Sequence, residues 1–201
     1  MAILSAASHD QVRQRLAQMV GPVVLRVPNG NAEMAALVSE VLTAAPLVDE
    51  PLLTAEGWEG ESLTLVDGWG RETGIHFRDL PLGQELGALA DSILAASKGS
   101  AILSPLGRSQ AQALPDATEL WTLVTPSCPR CAAMVRLANE IALESRGRLK
   151  AVTIDLTQHQ ELVGQFDVQT VPFFVVGGKT GFPGPLPELV LLQRVADSAQ
   201  T

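Results

Sequence analysis

The order of secondary-structure elements repeats once along this sequence, and that repeat restricts the fold more than any other feature. Both halves run strand, helix, strand, antiparallel hairpin and helix, as indicated by short apolar runs, by apolar residues spaced three and four apart, and by Gly-containing turns. The pattern predicts an internal duplication and the α/β fold class, with two tandem folds that each contain a mixed sheet flanked by helices.

The predicted elements have similar lengths in the two halves. In the first half the predicted helices cover 8–20, 32–45 and 84–97, and the strands cover 23–27, 62–66 and 74–77. In the second half the strands cover 120–124, 149–156 and 173–176, and the helices cover 129–144, 158–166 and 187–196. The first half is shorter between its second strand, an extended stretch around 47–53, and its hairpin. There we expect the loop 56–60 in place of a helix.

The segment 100–115 is the predicted connection between the halves. It contains two prolines, scattered polar residues and weak periodicity, which are typical of a linker. A chain of 201 residues accommodates two small domains of about 100 residues each. We therefore predict two domains, residues 1–112 and 113–201.

Composition limits the classes of partner and compartment. Hydrophobic residues make up 46% of the chain and charged residues 18%, which is enough apolar material for a packed core. The formal charge of −8 argues against nucleic acid as a partner, because phosphate binding needs clustered Lys and Arg. No apolar run reaches the roughly 18 residues of a membrane-spanning helix, and the first residues lack the pattern of a signal peptide. We expect a cytoplasmic protein that acts away from the membrane.

The only two cysteines form the motif Cys128-Pro129-Arg130-Cys131, directly after a predicted strand and at the start of a predicted helix. A chain of this length does not need a disulfide to hold its core, so the pair is better explained by chemistry. We expect Cys128 at the helix N-cap, Pro129 at the first helical position, and Cys131 almost one turn on, pointing back toward Cys128.

A helix terminus alone does not explain a reactive Cys128 thiolate. It contributes about 0.3–1 kcal/mol, whereas lowering a thiol pKa by two units requires about 2.7 kcal/mol. The S–H of Cys131 and the charge of Arg130 are the other stabilising groups that the sequence offers.

Two alternatives to redox chemistry remain open for the cysteine pair. A structural zinc site would need two further ligands, and the available histidines, His9, His76 and His159, are far apart in sequence. A purely structural disulfide is the second alternative.

A second motif, Thr170-Val171-Pro172, comes about forty residues after the cysteines and directly before an apolar strand. Together with the Cys128–Cys131 motif it resembles the active site of the thioredoxin superfamily. The resemblance implies a cis Pro172 that faces the cysteines, and a Val171 backbone that pairs with the substrate. Cys128 and Cys131 would then be the catalytic residues, and Thr170, Val171 and Pro172 would form the substrate-binding loop.

The duplicated layout resembles two tandem relatives, the glutaredoxin-like protein disulfide oxidoreductases and the N-terminal domain of the alkyl hydroperoxide reductase flavoprotein. The stretch from Gly74 to Gly83 resembles the first fold of that flavoprotein, in which only the second fold keeps its cysteines. In this sequence, too, the loop 28–31 that corresponds to the active site has no cysteine. We expect this degenerate copy to act as a scaffold, as a partner-docking surface or simply as an extension of the core.

The resemblance implies a thiol–disulfide oxidoreductase with no cofactor beyond the redox-active disulfide. No G-x-G-x-x-G fingerprint of a nucleotide-binding domain follows in the sequence. We therefore expect electrons from a separate disulfide reductase flavoprotein or another redox donor, and a peroxiredoxin or another disulfide or dithiol protein as substrate. A homodimer is an alternative to a monomer.

Two questions stay open at this level. Many thioredoxins place a buried Asp six residues before the first cysteine, where this sequence has Thr122, and Glu119 lies too early on its strand to replace it. The alternative function is a non-enzymatic redox-sensing adaptor that binds a partner through the degenerate first fold.

Overall fold

The computed structural model describes residues 2–46 and 48–200, and its first half contains three helices and four strands. They are α1 (Ala6–Leu16), β1 (Val23–Pro28), α2 (Ala32–Ala44), β2 (Leu53–Trp58), β3 (Leu63–Asp67), β4 (Glu72–Phe77) and α3 (Gln84–Lys98). The second half contains α4 (Pro105–Gln112), β5 (Thr118–Val124), α5 (Cys131–Ser145), β6 (Leu149–Asp155), α6 (Glu161–Gln165), β7 (Phe173–Val176), β8 (Thr180–Pro183) and α7 (Glu188–Ala199). The predicted α/β class and the repeated order of elements are confirmed. None of the helices in these two ranges is long and apolar enough to span a membrane.

Helix α4 lies within the segment predicted to be a connection, so that prediction was wrong for its middle part. The Ser104 side chain accepts the Gly107 N–H at the start of this helix, and Pro105 occupies the first turn. Only the small residues Gly107 and Ala111 of α4 are buried, so the helix lacks the apolar periodicity of its neighbours. It packs on α5 and α7, and it therefore supplies the second half with a counterpart of α1. The division of the chain at residue 112 stays a prediction.

Strand β2 lies later in the chain than the sequence pattern predicts. It begins where the predicted extended stretch ends and includes part of the predicted loop 56–60; Leu47 lies outside the described residues. Leu53 is the only fully buried residue of β2, so the strand shows no alternation of apolar and polar side chains. Its conformation is determined by parallel pairing with β1 instead.

All eight strands form one sheet, in the order β2-β1-β3-β4-β6-β5-β7-β8. Parallel pairing between β4 and β6 joins the halves, with Ile75 beside Ala151 and Phe77 beside Thr153. Because β1, β2, β4, β5 and β6 all run in the same direction, the loops that follow them meet at one end of the sheet. We call this the carboxyl end.

The hydrophobic core is continuous across the two halves on one face of the sheet. This cluster includes Leu89 and Ile93 of α3, Val135 and Ala138 of α5, and the two cysteines. A smaller cluster covers the opposite face of the second half only, under α6. Burial of shared apolar surface therefore contributes to holding the two copies together.

Helices α3 and α5 pack side by side and run in the same direction. The Asn139 side chain donates to Ser92 Oγ over 2.9 Å, and Arg136 pairs with Asp91 over 3.0 Å. Nearer the helix starts, Ala88 and Ala132 line the same cavity. The first turn of α3 consequently lies beside the first turn of α5.

We predict that Gly74→Ala weakens the junction between the halves. Gly74 has φ of 77°, and an added Cβ would collide with the carbonyl oxygen of Leu149 at the start of β6. The left-handed backbone costs an alanine about 1–2 kcal/mol, and the collision adds to this, so the free energy of unfolding in urea should fall by about 3 kcal/mol.

Gly70→Ala is the matched control, because Gly70 has φ of 78° and open space around its missing Cβ. It should lose only the backbone contribution of about 1–2 kcal/mol. Equal losses in the two variants would contradict the role given to the close approach of β4 and β6.

Candidate active site

The two cysteines lie at the carboxyl end of the sheet, between β5 and α5, and form a disulfide with their Cα atoms 5.4 Å apart. Backbone hydrogen bonds fold the loop tightly: the Cys128 N–H donates to Thr125 O over 3.0 Å, and the Cys131 N–H donates to Cys128 O over 3.3 Å. Cys128 keeps 7% of its surface exposed, whereas Cys131 keeps 0%. Cys128 is therefore the sulfur that an incoming protein reaches first, with Cys131 behind it.

Helix α5 begins at Cys131, which corrects the expectation that Cys128 is the N-cap and Pro129 the first helical residue. The residue at the N-cap is Arg130. The physical reason is that Cys128 O accepts a bond from the residue three positions on, so a tight turn precedes the α-helical pattern. Pro129 and Arg130 occupy that turn, and both are exposed.

The Thr170–Pro172 segment lies beside the end of β5. Strand β7 pairs antiparallel with β5, with Phe173 opposite Leu123, so Pro172 comes next to Val124 and Val171 next to Thr125. The Val171–Pro172 peptide bond is cis. Pro172 is buried, Val171 is half-buried against the core cluster that contains both cysteines, and Thr170 is exposed. The structure thus brings Val171 and Pro172 to the same end of β5 as the cysteine motif.

Glu85, which the sequence analysis did not single out, is a buried carboxyl next to this site. It lies in the first turn of α3, two residues after Gly83, where a Cβ would approach Pro126 O to 2.8 Å. Glu85 is 4% exposed, and its Oε1 has no hydrogen-bond partner among the described residues. The first turn of α3, which contains Glu85, packs beside the first turn of α5, which contains Cys131.

Burial raises the pKa of Glu85 to about 7, with a further contribution from the negative charge of Asp155 at the end of β6. A carboxyl with this pKa exchanges its proton near neutral pH, which is the property of a general acid or base. A raised pKa alone does not mark a catalytic group. Burial also raises the pKa of Glu140 to about 7, and that residue lies nine positions further along α5 from Cys131.

The sequence contains a signal that Glu85 is buried. Glutamate in the first turn of a helix is ordinarily explained by the helix dipole and by exposure to water. Glu85, however, is spaced four and seven residues from the inward-facing Leu89 and Ser92, so it belongs to the buried stripe of α3. A carboxylate in such a stripe indicates an unusual environment, although only the packing of α3 on α5 shows what that environment is.

The two positions that the sequence analysis considered for a proton acceptor supply none near Cys131. Thr122 is buried in β5, at the position where many thioredoxins have an aspartate. Glu119 lies near the start of β5, away from the cysteines, and pairs with Lys150 over 3.2 Å.

The histidines considered as zinc ligands have other contacts. His9 bonds Thr43, His76 bonds Thr64, and His159 pairs with Asp79. Within residues 2–46 and 48–200, no group of three or more His, Cys, Asp or Glu side chains is arranged to hold a metal ion.

In the first fold, the loop that corresponds to the cysteine motif has a structural role. The Asn31 side chain accepts the Met34 N–H over 2.9 Å and caps α2. A helix cap occupies the place that the cysteine pair has in the other copy.

Comparison with known proteins agrees with this description. The family model for the thioredoxin domain matches residues 121–196. A curated relative, the NADH dehydrogenase of Ferdinandcohnia aciditolerans, is 24% identical over 182 residues, which are 89% of this chain and 34% of the relative. The chain thus spans about a third of the length of that relative.

Two solved structures share the fold over nearly the whole chain. The protein disulfide oxidoreductase of Aeropyrum pernix K1 has a TM-score of 0.85 at 21% identity, over 98% of this chain and 94% of its own. The NTD_N/C domain of the alkylhydroperoxide reductase AhpF from Enterococcus faecalis has a TM-score of 0.82 at 18% identity, over 96% of this chain and 100% of its own. Residues 121–196 thus match the thioredoxin domain, and the chain shares the fold of these two structures, with two tandem thioredoxin-like folds in one sheet.

Proposed function

We propose that this protein is a thiol–disulfide oxidoreductase that works through Cys128 and Cys131. The observation that carries the proposal is the bonded pair itself, with a reachable Cys128 and a buried Cys131 at the carboxyl end of a thioredoxin domain. Val171 and Pro172 lie alongside at the end of β5 and form the wall against which a substrate backbone would lie.

In the reducing direction, the reaction begins with the dithiol form. The Cys128 thiolate attacks one sulfur of a substrate disulfide, a new bond joins Cys128 to that sulfur, and the other substrate sulfur leaves as a thiolate. The Cys131 thiolate then attacks Cys128 Sγ, which releases the second substrate thiolate and forms the Cys128–Cys131 disulfide. Two electrons pass from the cysteine pair to the substrate, and the reverse sequence oxidises a dithiol.

Glu85 is the group that we assign to the proton of Cys131. The Cys131 thiol must lose its proton before it attacks, and bulk water has little access to a fully buried sulfur. The ionised Glu85 accepts this proton from the side of the first fold, and its pKa of about 7 suits transfer near neutral pH.

The partners follow from the chemistry of the pair. A separate disulfide reductase flavoprotein or another redox donor would regenerate the dithiol, and a peroxiredoxin or another disulfide protein of the cytoplasm would receive the electrons. The names of the relatives support this order, because one is an NADH dehydrogenase and another is an alkylhydroperoxide reductase.

We predict that Cys131→Ser accumulates mixed disulfides with substrate proteins, because the Cys128 thiolate still attacks and nothing resolves the product. Cys128→Ser is the matched control and should trap few substrates, since its remaining sulfur is buried. The measurement is non-reducing electrophoresis of purified protein after incubation with an oxidised peroxiredoxin. If neither variant traps a substrate and the wild type reduces no disulfide, the redox-sensing adaptor becomes the better explanation.

We predict that Glu85→Gln slows the resolving step by about a hundredfold, the lower end of what general acid–base catalysis contributes. In the wild type, the rate of mixed-disulfide resolution should rise with pH as Glu85 ionises around pH 7, and this rise should be absent from the variant. Rapid-mixing measurements of thiol release would follow the step directly. Glu140→Gln is the matched control, because it removes a carboxyl of similar pKa that lies about 13 Å along α5 from Cys131.

Glu85→Gln and Glu140→Gln should both weaken the dependence of the protein's stability on pH. Burial raises the pKa of each carboxyl from 4.5 to about 7, so the folded state binds the proton more tightly than the unfolded state. The resulting stability is fully present below pH 4.5 and is lost as pH rises through about 7. Urea unfolding of either variant should therefore depend less on pH across this interval, by about 3 kcal/mol. An effect of Glu140→Gln on resolution as large as that of Glu85→Gln would contradict the assignment.

A further inference from the structure

A large groove begins at the cysteine motif and extends onto the first fold. It encloses about 760 Å³ between α1, α3 and α5. Pro129 and Ala132 line it at the end next to the cysteines. Its other lining residues include Gly87 and the charged residues Arg15, Asp91 and Arg136. Both folds therefore line the groove. One end of it is formed by Pro129, which lies between the two cysteines in the sequence.

The charged side chains of this groove include more positive than negative groups. Arg15 Nε and Arg136 Nη1 each lie 3.0 Å from a carboxylate oxygen of Asp91, so two guanidinium groups share one negative charge. The side chains of Arg15 and Arg136 are 38% and 47% exposed, whereas that of Asp91 is only 23% exposed. The accessible charge of the groove is thus positive, in a chain whose net charge is −8.

Glu140 is a further acidic group near Arg136, but it does not cancel this charge. Glu140 is buried and does not line the groove, and burial raises its pKa to about 7, so near neutral pH it is only partly ionised. Gln11, Gln14, Gln18 and Gln84, which supply the remaining polar lining, are neutral donors and acceptors suited to an extended backbone.

We propose that this groove binds the segment next to the reactive cysteine of a protein substrate, and that it selects segments with an acidic side chain. The inference rests on the proposed function and adds its substrate class. The substrate backbone would lie between the Val171–Pro172 loop on one side of Cys128 and the groove on the other, where a carboxylate meets Arg15 and Arg136. The first fold then takes part in substrate recognition.

The probes are synthetic peptides with one cysteine that is activated as a mixed disulfide with a neutral thiopyridine. The Cys128 thiolate attacks the peptide sulfur, the peptide S–S bond breaks, and thiopyridine leaves with its electron pair and is measured by absorbance. Cys131 then displaces the peptide as a thiol and leaves the Cys128–Cys131 disulfide. Two peptides of equal length carry either glutamates or lysines at the positions two to four residues from the cysteine.

For the reduced wild-type protein, we expect the glutamate peptide to react about fivefold faster than the lysine peptide at low ionic strength. Added salt should reduce this preference, because the groove is open to solvent. Arg15→Gln and Arg136→Gln should each lower the ratio of the two rates by about two- to threefold, as expected for one partly exposed charge pair, and the double variant should bring it near one. Arg13→Gln is the matched control. Arg13 is an exposed arginine of α1, the helix that contains Arg15, but it does not line the groove.

Asp91→Asn separates recognition from a merely structural effect. It breaks the same ion pairs as the arginine variants but leaves the groove more positive, so the ratio should rise. Movement of the ratio in the same direction in Asp91→Asn and Arg136→Gln would overturn the inference.

A ratio near one in the wild type, or a ratio that the double variant leaves unchanged, would also overturn it. In both cases thiopyridine release from the peptides would still support the proposed function. Release from neither peptide, and from no neutral dipyridyl disulfide, would contradict the proposed function itself.

Discussion

Parallel pairing between β4 and β6 is the interaction on which the rest of this structure depends. It involves only a short register, from Ile75 beside Ala151 to Phe77 beside Thr153, and its few hydrogen bonds contribute about 1 kcal/mol each. This pairing matters more for the geometry of the structure than for its stability. Because the two strands run in the same direction, the loops of both copies meet at one end of the sheet, and α3 is placed alongside α5. The shared apolar core then makes this arrangement stable.

Under the proposed function, that arrangement lets the two copies divide the functions of one active site. The second fold supplies the sulfurs and the Val171–Pro172 loop, and the first fold supplies the buried carboxyl of Glu85. Glu140 shows why position decides the role of a carboxyl. It has the same raised pKa from the same cause, yet it lies more than two helical turns from Cys131 along α5.

Local patterns predicted the elements whose own side chains determine them. The strands with several buried residues, the long helices, the two hairpins and the cysteine motif between β5 and α5 all fall into this group. The elements that local patterns missed are determined by their neighbours. Strand β2 has one fully buried residue and depends on pairing with β1, and α4 buries only small residues against α5 and α7. Glu85 was missed for the same reason, because its environment is created by contact between residues of different copies.

Next to the cysteine loop, the two copies touch through main chain, since Gly83 lies against the Pro126 carbonyl with no room for a Cβ. Duplication ordinarily frees one copy to accumulate substitutions once the other performs the chemistry. Here that freedom is uneven. The loop 28–31 needs only to turn and cap a helix, which many sequences achieve. Under the proposed function, positions 83 and 85 are in contrast tied to a reaction of the second fold, so the copy without cysteines shares part of the evolutionary constraint on the copy that has them.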